Sequence, residues 1–168
     1  MAAWVTKLGA FREPDAEAIA DVVARHEAPF SRPHGNTNAL REALYEIMWN
    51  DVGIARTASG LARADSSLAG LQEELGRTGV ACDTRAFNLS WHDWLNLRSL
   101  IAVSRAIVIA AVARQDSRGA HFREDFPDTG DLPSSSYTLV HQAGEKLTLT
   151  TQRVLFTRIQ PGESLLTQ

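Results

Sequence analysis

The chain has 168 residues, of which 44% are apolar, and this is enough for one domain with a buried core. Its formal charge is −3 and it contains no basic block, so the composition argues against nucleic-acid binding through phosphate neutralisation. The single cysteine, Cys82, excludes an internal disulfide and a thiolate metal cluster, and it suits a reducing compartment.

No targeting or membrane segment is predicted. The N-terminal residues lack the long apolar core after basic residues that marks a signal peptide. The most apolar window, residues 100–112, contains Ser104 and Arg105 and is too short and too polar to span a bilayer. We therefore expect a cytoplasmic location and no membrane insertion.

Residues 1–35 are predicted to form an N-terminal helix and a linker. Over residues 16–25, Ile19, Val22 and Val23 fall on one side of a helix. The connector that follows contains two prolines and a glycine, which favour turns over regular structure.

Two helices are predicted in the middle of the chain. The first is capped by one of residues 36–38. Its apolar stripe consists of Leu40, Leu44, Ile47 and Met48. The second is expected to be short, beginning at Asp65 or Ser66 and ending at Gly76 or Gly79.

The last predicted helix, residues 91–115, is apolar over more than half of its circumference, which is typical of a central helix. We expect Ile101, Ile107 and Val108 to form the core of the bundle. Gly119 lies where the chain must leave this helix, in a conformation that residues with a Cβ resist.

The pattern then changes to the alternation, rich in Thr, Val and Leu, that is typical of strands. It runs over residues 136–141, 146–151 and 153–159. Residues 142–145 form a hairpin turn in which Gly144 takes a positive φ.

The predicted fold class is therefore mainly α, a three- to four-helix bundle followed by a small C-terminal β hairpin. The bundle and the charged loop after it occupy residues 36–132. The hairpin tail occupies residues 133–168.

The sequence contains no motif for a cofactor or a metal. It lacks both Gly-x-Gly-x-x-Gly after a strand and Gly-Lys-Ser/Thr, the common phosphate-binding patterns. Its histidines have no short ligand spacing, and His92 is interpreted as a packed or interfacial residue between two tryptophans. Cys82 is interpreted as a half-buried small residue rather than a nucleophile. We therefore expect no catalytic, cofactor-binding or metal-binding residue in this chain.

The segment 114–131 is unusually dense in charge. Its arginines supply forked donors suited to carboxylates and carbonyls, and Glu124, Asp125 and Asp128 supply acceptors. Three interpretations are open: a site for an anionic substrate, a loop locked by its own ion pairs, and a surface that contacts another domain. The residues predicted for the interdomain contact are Arg114, Arg118, Gly119, His121, Arg123 and Asp125.

This segment also resembles a known family signature. Residues 117–127, Ser-Arg-Gly-Ala-His-Phe-Arg-Glu-Asp-Phe-Pro, resemble the C-terminal helical domain of the succinate dehydrogenase and fumarate reductase flavoproteins, which include L-aspartate oxidase. Residues 40–56 resemble the first bundle helix of that family, and residues 96–114 resemble the last. Residues 153–166 resemble the short tail of some members, so the resemblance covers roughly residues 37–166.

The resemblance implies a non-catalytic part of a FAD-dependent oxidoreductase. In that family FAD lies in a Rossmann-like domain, a capping domain closes over a dicarboxylate, and the catalytic residues come from those two parts. The implied partner is a flavin-binding domain or subunit, together with an iron–sulfur subunit in respiratory members, which can hold the protein at a membrane. The alternative is an independent protein–protein interaction module that kept the bundle and has no redox activity.

Overall fold

The computed structural model describes residues 6–7, 13–144 and 146–163. The elements in chain order are α1 (Ala16–Glu27), a 3₁₀ turn (Ala28–Ser31), α2 (Thr37–Val52), β1 (Ala55–Arg56), α3 (Ala58–Arg77), α4 (Leu89–Ala113), β2 (Phe122–Arg123), β3 (Ser136–Ala143) and β4 (Lys146–Arg153). These helices and the antiparallel hairpin after them confirm the predicted mainly α fold class. Parts of the predicted N-terminal region and of the predicted tail lie outside the described residues.

Polar caps define where the bundle helices begin. At the start of α2, Asn36 accepts a hydrogen bond from the backbone N–H of Ala39 at 3.0 Å, as predicted. At the start of α4, Asn88 accepts one from the backbone N–H of Trp91 at 2.9 Å. Thr57 caps α3 in the same way.

The helix α3 is longer than predicted. It begins at Ala58 rather than at Asp65 or Ser66, and it ends at Arg77 with Thr78, not a glycine, as its C-cap. The prediction was wrong because Ser66 is typical of a cap but lies inside the helix. Its hydroxyl bonds to a carbonyl one turn earlier at 3.1 Å, so the helix satisfies it.

The core lies where α2, α3 and α4 pack together. Its fully buried apolar side chains include Leu44, Leu61, Leu68, Leu97, Ile101 and Val108. The helix α1 contributes no buried residue, so the three later helices form the bundle.

The connector between α1 and α2 is bonded to the bundle. Gly79, just after α3, donates its backbone N–H to the carbonyl of Pro33 at 2.8 Å. A Cβ at Gly79 would collide with the backbone carbonyl of Arg32, so this close approach of two chain segments requires glycine.

The helix α4 buries only one side of its apolar circumference. Ile101 and Val108 are almost completely buried, as predicted, whereas Ile107 is 43% exposed, so its predicted place in the core was wrong. The reason is helical geometry. Val108 follows Ile101 by seven residues, close to two full turns, while Ile107 is displaced by about a third of a turn.

The C-terminal residues form one hairpin rather than three strands. β3 and β4 pair in antiparallel register from Ser136 opposite Arg153 to Ala143 opposite Lys146. Gly144 has a φ of 63°, as predicted for the turn. The third strand predicted at 153–159 does not form. Strand pairing ends at Arg153, and one further backbone hydrogen bond joins Val154 to Ser135 at 2.8 Å.

The apolar part of α4 is longer than the window of residues 100–112 that is predicted from the sequence to be too short to span a bilayer. The helix has 25 residues, and its most apolar stretch has a mean hydropathy of 1.7, so by length and composition alone it could cross a membrane. The central helix of a soluble bundle meets the same criterion. The absence of membrane insertion therefore stays a prediction.

In the isolated chain, Ile101→Ala should lower the free energy of unfolding by about 2–5 kcal/mol, because it removes buried methyl groups and leaves a cavity. The matched change Ile107→Ala should cost about 1 kcal/mol or less, since that side chain is partly in solvent. Urea unfolding of the two variants measures the difference. Equal losses would contradict the assignment of the buried face of α4.

Candidate functional site

The charged segment begins directly after α4. The helix ends at Ala113 with Arg114 as its C-cap, so Gly119 does not end it, and that prediction was wrong. Gly119 instead lies in a tight turn closed by two hydrogen bonds between the backbones of Arg118 and His121, at 2.8 and 3.0 Å. Its φ of 56° is the positive value expected of a glycine here.

After this turn the chain pairs with the junction between α2 and α3. β2 runs parallel to β1, with Phe122 opposite Ala55 and Arg123 opposite Arg56. The backbone N–H of Glu124 donates to the carbonyl of Arg56 at 2.9 Å. This short pairing brings the charged segment against the ends of three helices.

Arg123 and Asp125 form an ion pair at that place, which we call the clamp. Nε and Nη2 of Arg123 donate to the two carboxylate oxygens of Asp125 at 2.7 and 2.6 Å. Nη1 of Arg123 donates to the backbone carbonyls of Ala111 and Arg114 at 2.9 and 3.2 Å. Arg123 is only 2% exposed, so its guanidinium serves the C-terminal end of α4.

The carboxylate of Asp125 binds the N-terminal end of a helix. It accepts a hydrogen bond from the backbone N–H of Ala58, the first residue of α3, at 2.9 Å. A cation at a helix C-terminus and an anion at a helix N-terminus both match the helix dipole. The hydrogen bonds from Arg123 lower the pKa of Asp125 to about 2, so the carboxylate is ionised at neutral pH.

Ser117 is a buried member of the site whose role the sequence did not reveal. Its hydroxyl accepts from the backbone N–H of Arg123 and donates to the carbonyl of Phe126, both at 2.8 Å. It therefore holds the backbone that presents Arg123. The sequence signal was its place in the family signature, where a serine precedes Arg118.

Arg118 fastens the segment that leads to the hairpin. Its guanidinium donates to the backbone carbonyls of Thr129 at 2.6 Å and of Asp131 at 3.2 Å, and to the hydroxyl of Ser135. Asp116 contacts Arg118 at 3.0 Å and also accepts three hydrogen bonds from Arg114. The acidic partner is thus Asp116, which was not among the predicted acceptors.

His121 completes the site through Arg56. Nη1 of Arg56 lies 2.9 Å from Nδ1 of His121, and since arginine only donates, Nδ1 accepts and Nε2 carries the proton. Burial lowers the pKa of His121, and the charges of Arg56 and Arg114 lower it further, against the opposing effects of the Arg114 backbone and Asp116. His121 is therefore neutral at neutral pH.

These contacts favour one of the three interpretations of the charged segment. The guanidinium groups of Arg114, Arg118 and Arg123 all bond to acceptors of this chain, so the loop is locked by its own ion pairs. Arg123, one of the residues predicted for the interdomain contact, is buried. Contact of this segment with another domain stays a prediction. Of the residues predicted for it, Arg114, Arg118 and His121 are half-buried, and Gly119 and Asp125 are exposed.

The described residues include no group of three or more His, Cys, Asp or Glu side chains placed to hold a metal ion. Cys82 is exposed rather than half-buried, because the turn that carries it lies at the surface. His92 is also exposed, although its ring lies beside Trp91, with ring centroids 6.1 Å apart. The chemistry of the described site is therefore that of a structural ion-pair network.

Comparison with known proteins decides the family. The model of the fumarate reductase flavoprotein C-terminal region matches residues 41–165. The chain belongs to this family. This confirms the resemblance seen in the sequence.

Individual relatives agree. The chain is 32% identical over 172 residues to the fumarate reductase flavoprotein subunit of Mycobacterium tuberculosis, covering 87% of this chain and 30% of the relative. It is 39% identical over 102 residues to L-aspartate oxidase 1 of Ralstonia nicotianae, covering 61% of this chain and 18% of the relative. Across the curated relatives compared here, the chain spans 16–30% of their length.

Solved structures share the fold. The Mycobacterium smegmatis Sdh1 structure superposes with a TM-score of 0.85 at 25% identity, covering 92% of this chain and 27% of that chain. A quinol fumarate reductase from E. coli superposes with a TM-score of 0.78 at 26% identity, covering 94% of this chain and 28% of that chain. The bundle and hairpin are thus a recurrent part of much longer flavoproteins.

Arg123→Ala should lower the free energy of unfolding by roughly 3–5 kcal/mol, the range for breaking a buried ion pair, and toward its lower end because Asp125 is partly exposed. Arg123→Lys should recover only part of the loss, since one ammonium cannot reach two carbonyls and a carboxylate together. Urea unfolding measures both, with the exposed Arg153→Ala as the control. A loss no larger than that of the control would show that the clamp does not hold the bundle together.

The stability should also fall in mild acid because of His121. Its folded pKa is lowered, so the unfolded chain takes up a proton near its ordinary value of 6.5 that the folded chain excludes. The neutral His121 therefore stabilises the fold fully above that pH, and this stabilisation is lost as the pH falls. The free energy of unfolding should fall by at most about 1.4 kcal/mol per pH unit for one proton. Asp125 titrates far lower, so it does not contribute in this window.

Urea unfolding between about pH 8 and about pH 5 measures this slope. His121→Asn should flatten it, whereas His92→Asn, which removes an exposed histidine of α4, should leave it unchanged. An unchanged slope in His121→Asn would contradict the role assigned to His121.

Proposed function

We propose that this chain is the non-catalytic C-terminal domain, or a separately encoded piece, of a FAD-dependent oxidoreductase of the succinate dehydrogenase, fumarate reductase and L-aspartate oxidase type. It packs on the flavin-binding domain or on a partner subunit. The observation that carries the proposal is that the family match covers most of this chain but only a small part of each relative.

The chemistry of the described residues supports a structural role. Arg123, Asp125 and His121, whose pKa values are shifted, all bond within the ion-pair network. The strongly shifted carboxylate of Asp125 is occupied by Arg123 and by the start of α3.

FAD belongs to the parent enzyme in this proposal, and residues 13–144 and 146–163 contain no phosphate-binding loop that fits it. The helix starts at Asn36, Thr57 and Asn88 are closed by their own side-chain caps rather than by glycine-rich loops that could approach a pyrophosphate. The groove between α2 and α4 is open, and its lining contains no glycine. No step of the reaction is therefore assigned to this chain.

The proposed partners follow from the same reasoning. The main partner is the flavin-binding domain or subunit, and in a respiratory enzyme an iron–sulfur subunit lies nearby. The described surface carries no basic block, which agrees with a protein partner rather than nucleic acid. We propose a cytoplasmic location, or attachment to a membrane through partner subunits.

The isolated chain should be colourless and should not retain FAD. Incubation with excess FAD, followed by desalting and a visible spectrum, measures retention. The positive control is the flavin-binding polypeptide of the parent enzyme treated in the same way. Stoichiometric flavin on the isolated chain would contradict the proposal. The proposal would also be contradicted if the purified holoenzyme contained the flavin-binding polypeptide without this chain.

A further inference from the structure

An apolar surface on α4 faces away from the bundle core. Leu100, Val103 and Ile107 are 40%, 58% and 43% exposed, and their spacing of three and four residues aligns them along one stripe of the helix. Tyr45 on the neighbouring α2 is 52% exposed. We call these four side chains the α4 face.

The α4 face borders an open groove of about 500 Å³ between α2 and α4. Leu100 and Val103 contribute its apolar part. An ion pair between Arg41 and Asp93, with an N–O distance of 3.2 Å, lies at its border together with Asn96 and Ser99. An apolar centre with a polar border is the usual anatomy of a protein–protein interface.

So many exposed apolar side chains are not expected on a helix whose packing partners all lie within the same chain. A helix that is apolar on all sides is normally covered on all sides, and exposed apolar stripes mark interaction sites. Here the opposite side of α4, with Ile101 and Val108, already forms the core. The exposed side therefore needs a cover that the described residues do not provide.

We propose that the α4 face packs against the flavin-binding part of the parent enzyme, an inference that rests on the proposed function. That part is the natural cover because the relatives carry at least two thirds of their length outside the region matched here. The arginines of the charged segment already bond within the chain, so the apolar α4 face is the stronger contact surface. Both signs of charge border it, and the half-exposed Asp93 disfavours an anionic lipid surface.

Hydroxyl-radical footprinting of the FAD-loaded holoenzyme tests this, whether the enzyme is one polypeptide or several. The rates of modification of Leu100, Val103 and Ile107 should fall from their values in the isolated chain to the rate of buried Ile101. The exposed Leu155, which is in the tail, should stay reactive. Unchanged rates at the α4 face in a holoenzyme that holds flavin would overturn the inference and leave the proposed function standing.

A substitution gives an independent readout. Val103→Glu places a charge in the proposed contact and should lower the temperature at which the holoenzyme releases FAD, or weaken binding between separate polypeptides by roughly 30-fold or more. Leu155→Glu is the matched control and should change neither. If both variants weaken the holoenzyme, the footprint of Ile107 decides, since protection supports the inference and full reactivity overturns it.

Other occupants of the face would give different results. The isolated chain could instead bind phosphatidylglycerol vesicles or form a dimer seen by light scattering. Either result would overturn the inference if Val103→Glu abolished that binding or dimer and the α4 face of the holoenzyme stayed unprotected in the footprint. A holoenzyme that forms without this chain would instead overturn the proposed function itself.

Discussion

The ion pair between Arg123 and Asp125 connects two helix ends that lie far apart in the sequence. Arg123 reaches the last carbonyls of α4, and Asp125 reaches the first N–H of α3. The direction of the ion pair matches both helix dipoles. The position of α3 against α4, and with it the shape of the core, depends on this contact.

A buried ion pair is seldom the most stabilising way to fill space, and well-packed apolar side chains often do better. Here an apolar pair would not be equivalent, because the carbonyls of Ala111 and Arg114 and the N–H of Ala58 would lose their partners. The contact to the Ala111 carbonyl is buried, and an unsatisfied buried backbone group is costly. The charges therefore stabilise the fold chiefly through the backbone groups that they satisfy.

How far the sequence predicted this structure depends on whether each feature is local. The start of α2 at Asn36 and the turn at Gly144 follow from neighbouring residues and were predicted. The start of α3 was missed because Ser66 looks like a cap, although its hydroxyl is satisfied inside the helix. The partners of Arg123 were out of reach, because guanidinium groups bind carboxylates and carbonyls alike and only the fold brings those acceptors near.

The case of Ile107 shows why the outer side of α4 could not be assigned from the pattern. Periodicity identifies the apolar positions of a helix, but it does not say whether each one packs against the same chain or against a partner. In this chain the charged side chain of Arg123 turns inward to hold the end of α4, while Leu100, Val103 and Ile107 remain outside. This reverses the usual placement of charged and apolar groups. Such a reversal fits a domain that packs against the rest of a larger protein. The buried charge of Arg123 completes the fold, and the apolar stripe on α4 remains free to bind a partner.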